Sequence, residues 1–125
     1  MKSVVLCGSK KYKPEIREFA KKLKKSGVVV YEPHLTSFKW DEIPEDSAKF
    51  ISIGLTYDHF NKIRRADIIF VYNKDGYVGN SVTLEIGYAA ALDKPIYALE
   101  KDDDACRNSC FCDIVKTPEE LIKKL

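Results

Sequence analysis

Three short runs of uninterrupted apolar residues constrain this chain most: Val4-Val5-Leu6-Cys7, Val28-Val29-Val30-Tyr31 and Ile68-Ile69-Phe70-Val71. A strand with one wet face alternates apolar and polar side chains, whereas a parallel strand covered on both faces does not. Such runs, rich in β-branched side chains, predict buried strands of a parallel sheet over residues 3–7, 28–31 and 67–72. Parallel strands need crossover helices, and the first is plain. Pro14 suits a first helical turn, Ile16, Phe19, Ala20 and Leu23 recur at helical spacing with Lys and Arg opposite, and Gly27 stops the helix. Pro33 closes the second strand, completing a unit that should cross over right-handed.

Beyond it the pattern loosens. Residues 34–44 read as an ordered loop carrying Phe38 and Trp40, a candidate lid. A short helix is expected over 45–53, ended by Gly54, and a second one capped by Thr56 running to about Ala66, with Phe60 and Ile63 inward. After the third strand comes a loop over 73–81 holding Gly76 and Gly79, then a helix over 82–92, then Lys94-Pro95 and a fourth strand over 96–99. A charged loop over 100–104 precedes three cysteines, and residues 114–116 suit an edge strand. Thr117-Pro118-Glu119-Glu120 has the form of a helix start, with Thr as N-cap, Pro at N1 and Glu at N3. The alternation predicts one α/β domain over residues 1–125, doubly wound in the flavodoxin or Rossmann manner, with a central parallel sheet of about five strands and helices on both faces.

Composition narrows the function classes. With 21 basic and 19 acidic residues the formal charge is only +2, which argues against a nucleic-acid partner and for a small ligand. No apolar run approaches the ~20 residues of a membrane helix, and Met1-Lys2-Ser3 leads straight into a strand, so a cytoplasmic protein without a membrane partner is expected. Cys106, Cys110 and Cys112 cluster while Cys7 stands alone. The C-x3-C-x-C spacing fits no common zinc pattern, and reduced thiols in a late loop, with no metal and no other cofactor, are expected.

Ligands of open parallel sheets bind outside the carboxyl ends of the strands. Gly8, Ser9, Lys10, Lys11 and Lys13 follow the first strand immediately before a helix N-terminus, a candidate phosphate cradle. Gly79, Asn80 and Ser81 end the loop after the third strand and are further candidates for substrate binding. On the helix that follows, Glu85 falls in the same sector as Val82, Ile86 and Ala89, aiming a carboxylate near the core. A capping box begun at Asn80 or Ser81 would want Glu at position 83 or 84, so capping does not explain it. A structural ion pair with Arg64, Arg65 or a lysine does, and so does catalysis. His59 can be a surface or packing residue or a proton carrier. Asp67, at the wrong end of its strand for a site, is expected to make a local cap or turn bond.

Together Val5-Leu6-Cys7-Gly8-Ser9, Val30-Tyr31-Glu32-Pro33-His34, Arg65-Ala66-Asp67-Ile68-Ile69-Phe70-Val71 and the stretch from Gly79 to Ala89 with Lys94-Pro95 resemble the nucleoside 2-deoxyribosyltransferase superfamily over almost the whole chain. The Cys-Gly-Ser loop is most similar to that of the 2′-deoxynucleoside 5′-phosphate N-hydrolases. The resemblance implies that Glu85 attacks the anomeric carbon of a nucleoside or nucleotide, and that Ser9 and Lys11 hold a 5′-phosphate. Where the family carries an aspartate in the helix before the third strand, this chain has His59 beside Asp58, which moves proton handling to His59. The transferases also carry an acidic residue about six before the nucleophile, where Gly79 and Asn80 stand. Expected is hydrolysis or base exchange at an N-glycosidic bond, in a homodimer or higher homo-oligomer; the alternative is a non-catalytic nucleotide-binding or sensing module on the same fold.

Overall fold

The structure, a computed structural model, describes residues 2–35 and 38–125. Five strands, β1 (Ser3–Gly8), β2 (Val29–Tyr31), β3 (Ile68–Tyr72), β4 (Ile96–Ala98) and β5 (Asp113–Ile114), form one sheet in the order β2-β1-β3-β4-β5, with every pair parallel. The chain leaves β1 to one side for β2 and returns to the other side for β3, so strand order reverses between β1 and β3. Crevices at such a switch point are where open sheets of this order bind ligands.

Alternate residues of the strands enter two cores. Val4, Leu6, Ile68 and Phe70 pack under α1 (Lys13–Lys25), where Phe19 stacks on Phe70 with centroids 4.6 Å apart, and under Leu121 of α5 (Pro118–Ile122). Val5, Cys7, Ile69 and Val71 face α2 (Glu45–Arg65) and α3 (Asn80–Ala91) through Ile63, Val82, Ile86 and Ala89. Coverage on both faces explains the uninterrupted apolar runs. Gly8, the last residue of β1, lies so close to α1 that a Cβ there would come within 2.5 Å of Ile16 Cδ1. Gly27 ends α1 at φ 82°, and the amide of Val28 reaches back to the Leu23 carbonyl, the left-handed stop that glycine favours.

Several local expectations change. The two helices expected on either side of Gly54 are one helix of 21 residues, α2. Gly54 has open space around it, and an interior glycine costs about 1 kcal/mol, too little to interrupt a long packed helix. Thr56 therefore caps nothing. α3 starts at Asn80, two residues before the expected point, and a short helix, α4 (Ala105–Ser109), stands where only a loop was expected. Asp104 caps it by accepting the Arg107 amide, while the Arg107 side chain grips the buried Asp102 through two bonds of 2.7 and 3.0 Å. β4 ends one residue early and β5 begins one residue early. α5 begins as expected, with the Thr117 hydroxyl accepting the Glu120 amide.

Asp67 makes no local turn bond. Its carboxylate accepts from the Ser3 amide (2.8 Å) and hydroxyl (3.1 Å), fastening the start of β3 to the start of β1. In the loop expected over 34–44, Trp40–Glu42 forms a 3-10 turn; the part of it at 36–37 lies outside the described residues. Among the described residues no helix is long and apolar enough to cross a membrane.

Candidate active site

A cleft of about 340 Å³ opens at the β1/β3 switch point, between the loop after β1, the segment after β2, the middle of α2 and the start of α3. Its inner wall carries Glu85 and His59. α3 brings Glu85 there because Val82, Ile86 and Ala89 turn the neighbouring sector onto the sheet, which leaves the carboxyl between core and cleft with its side chain 15% exposed. α2 brings His59 there because it lies one turn before Ile63, and these two are the buried residues of that helix.

The two heads meet beneath the cleft, His59 Nε2 standing 3.5 Å from Glu85 Oε1. Cys7, fully buried at the end of β1, closes the group from the sheet side, its Sγ 3.3 Å from the same Nε2. Neither arginine named as an ion-pair partner reaches Glu85. Arg64 donates to the Tyr88 hydroxyl and to Asn61, and Arg65 lies over the Tyr31 ring. Among the described residues Glu85 has no lysine or arginine partner.

Burial governs the protonation of all three groups. It pushes Glu85 up to about 7, a rise that the adjoining thiol partly offsets. It pushes the Cys7 thiol well above its ordinary range, with the Glu85 charge adding to the effect. Burial also lowers His59 to about 4, helped by the nearby charges of Lys62 and His34. His59 is thus a neutral imidazole near pH 7, and the ordinary value near 6.5 that made it attractive for acid–base work does not survive its surroundings. Its Nδ1 is buried and, among the described residues, has no hydrogen-bond partner. A carboxyl raised into the neutral range by burial, beside two neutral polar groups, is the kind of perturbed group that clusters at functional sites.

Two helical starts form opposite edges of the cleft. Gly8, Ser9 and Lys10 line it at one edge, and Gly79, Asn80 and Ser81 at the other. Ser9 Oγ accepts the Lys11 amide and caps a 3-10 turn over Lys10–Tyr12. That turn sends Lys11 away from the cleft, its ammonium 4.7 Å from the Tyr77 ring centre, and leaves Lys10 on the lining. α3 has Gly79 as its N-cap and, among the described residues, no side-chain cap, so its first amides and its dipole are open to an anion. Among the aromatic side chains, Trp40 and Phe60 line the cleft; Phe38 packs edge-on against Trp40, and Tyr12 packs against Tyr77.

Sequence reading missed Cys7 and the buried Asn73 as contributors to this end of the sheet. Asn73 exchanges two hydrogen bonds with the Glu100 backbone, tying the loop after β3 to the loop after β4. The signal for Cys7 was its parity with Val5, which assigns it to the α2/α3 face. At the mouth, Lys62 bonds Asp58 (3.1 Å) and the Glu32 carbonyl (3.0 Å), and Asp58 bonds His34 at 2.6 Å, fastening the segment after β2 to α2. Asp58 therefore points to the rim while its neighbour His59 points to the core.

Comparison with known proteins bears on the fold and the family. No curated protein matches the chain. It is similar in structure to a conserved protein from Enterococcus faecalis V583, with a TM-score of 0.65 and 18% identity over 100% of this chain and 99% of the other. It is also similar to a 2-deoxyribosyltransferase from the psychrotolerant bacterium Bacillus psychrosaccharolyticus, with a TM-score of 0.68 and 15% identity over 95% of this chain and 89% of the other. At these identities the likeness is one of fold. The family pattern described as nucleoside 2-deoxyribosyltransferase, however, matches residues 5–120, from the strand that carries Cys7 through both helices that carry His59 and Glu85. On that match, the chain belongs to the nucleoside 2-deoxyribosyltransferase family.

Proposed function

We propose that this protein cleaves or exchanges the N-glycosidic bond of a nucleoside or nucleoside 5′-monophosphate, with Glu85 as the nucleophile. The observation that carries the reading is a carboxyl at the wall of a nucleoside-sized cleft with no cationic partner among the described residues. Ionised Glu85 attacks the anomeric carbon; the carbon–nitrogen bond breaks, its electron pair leaves with the base, and the base takes up a proton from solvent. Water or a second base then attacks the same carbon, gives up a proton to solvent and releases the carboxylate. Neutral His59 orients the carboxyl rather than supplying that proton at rest. A 5′-phosphate fits between the Ser9-Lys10 turn and the uncapped start of α3, and this favours hydrolysis of a monophosphate over base transfer.

The test is incubation with a panel of nucleosides and 5′-monophosphates, with free base followed by chromatography. Base release that falls at least about a thousandfold in a folded Glu85→Gln protein is expected. Binding of a panel member without base release would favour the non-catalytic nucleotide sensor. Near-normal release by folded Glu85→Gln would remove the nucleophile. Ser9→Ala with Lys10→Ala should weaken monophosphates more than nucleosides; equal losses would remove the phosphate site.

A further inference from the structure

Cys7, His59 and Glu85 come from three distant parts of the sequence, and their ligating atoms all lie within 4.8 Å of one another. A tetrahedral zinc ion with bonds of about 2.0–2.1 Å to nitrogen and oxygen and about 2.3 Å to sulfur separates its ligand atoms by roughly 3.4 to 3.6 Å. The two separations in hand, 3.3 Å from sulfur to nitrogen and 3.5 Å from nitrogen to oxygen, are close to those edges. Thiolate, imidazole and carboxylate are the donor set that prefers zinc to magnesium or calcium. Access exists as well: His59 and Glu85 line the cleft while Cys7 lies behind them, so an ion comes in past the carboxylate and keeps its fourth position toward the cleft.

We propose that Cys7, His59 and Glu85 form a binding site for a zinc-class divalent cation, and that its occupation withdraws Glu85 from glycosidic chemistry. On binding, zinc–sulfur, zinc–nitrogen and zinc–oxygen bonds form, and the thiol proton, together with the Glu85 proton wherever that carboxyl is protonated, passes to solvent. Thiolate and carboxylate together cancel the two charges of the ion, leaving a neutral buried unit. The inhibitory half rests on Glu85 being the nucleophile; the binding half does not. The site is also separate from Cys106, Cys110 and Cys112, which are free thiols on and after α4.

Metal-free protein titrated with Zn²⁺, and with Co²⁺ as a spectroscopic probe, tests it. Expected are one equivalent of bound zinc and a thiolate-to-cobalt charge-transfer band with the intensity of a single sulfur. Both should persist in a Cys106→Ser, Cys110→Ser, Cys112→Ser triple variant and be lost in Cys7→Ser. Should Cys7→Ser fail to fold, the triple variant and the one-sulfur intensity of the wild type decide alone. Absence of stoichiometric binding, a band of two or more sulfurs, or binding lost in the triple variant would overturn the site. In the base-release assay one equivalent of zinc should remove at least about nine-tenths of turnover, with recovery on chelation. Zinc bound through Cys7 without inhibition would overturn the inhibitory half, whereas absence of base release before any zinc is added would overturn only the proposed activity.

Discussion

At the residue scale, Glu85 shows how a side chain can be placed against its own stability. A carboxyl between core and cleft with no lysine or arginine beside it among the described residues gains less from its surroundings than it would in water. Glu85→Gln keeps the shape and removes the charge, so its melting temperature at pH 7 should equal or exceed that of the wild type. A drop of several degrees would mean that the carboxylate has a structural partner. Asp67 is the opposite case. Two bonds from Ser3 hold its carboxyl below the ordinary carboxylate value, so between those two pKa values the unfolded chain binds more protons than the folded one. The stabilisation is complete above about 3.8 and is lost as pH falls through the lower folded value. Denaturant melts of Asp67→Asn should show less stability than wild type at pH 7, with the gap closing as the pH falls below about 3.8. A gap independent of pH would remove this bond from acid stability.

At the element scale, α2 and its end are the most informative. Because α2 runs unbroken through Gly54 in open space, Gly54→Ala should stabilise the protein by about 1 kcal/mol, read as a shift in denaturant midpoint. Destabilisation would mean that the helix is broken there after all. The far end of α2 is closed by Lys94, whose ammonium donates to the carbonyls of Arg64 and Ala66 at 3.0 and 2.8 Å. The Lys-Pro pair after α3 thus caps the helix that carries His59, with Pro95 leading directly into β4. Lys94→Met should cost about 1–2 kcal/mol; an unchanged midpoint would show that water serves those carbonyls equally well. The sequence showed α1 and α5 plainly because their caps and periodicity agree. It misled at Gly54 and Thr56 because a break signal and a tolerated interior residue look alike when only local propensity is weighed.

At the scale of the whole molecule, α2 presents Phe50, Ile53 and Tyr57 to solvent, the first and last 75% and 62% exposed. Their spacing of three and four residues places them on one stripe. Phe38 and Trp40 are also exposed, so the aromatic residues of this region do not cover the core of their own chain. An apolar surface of this kind beside the cleft is expected to be buried in a homodimer. Light scattering at micromolar concentration should return twice the chain mass, and Phe50→Asp with Tyr57→Asp should return the mass of one chain. A monomeric wild type that still releases base would show that one chain encloses its own site.

What the sequence determined by itself was whatever follows from local pattern. Uninterrupted β-branched runs separated by helical periodicity point to a parallel sheet covered on both faces, because the crossover helices that parallel strands require dry both sides of each strand. The inward sector of Glu85 was legible for the same reason, through the apolar positions around it. Tertiary structure alone decided what stands beside that carboxyl. Cys7 and His59 reach it because β1, α2 and α3 converge at the switch point of the sheet, and no spacing within any one element encodes that convergence. The titration of the site was decided in the same way, since the low value of His59 and the high value of Glu85 come from the water that surrounding elements exclude. Side-chain character is local, whereas dielectric surroundings and neighbours belong to the assembled fold.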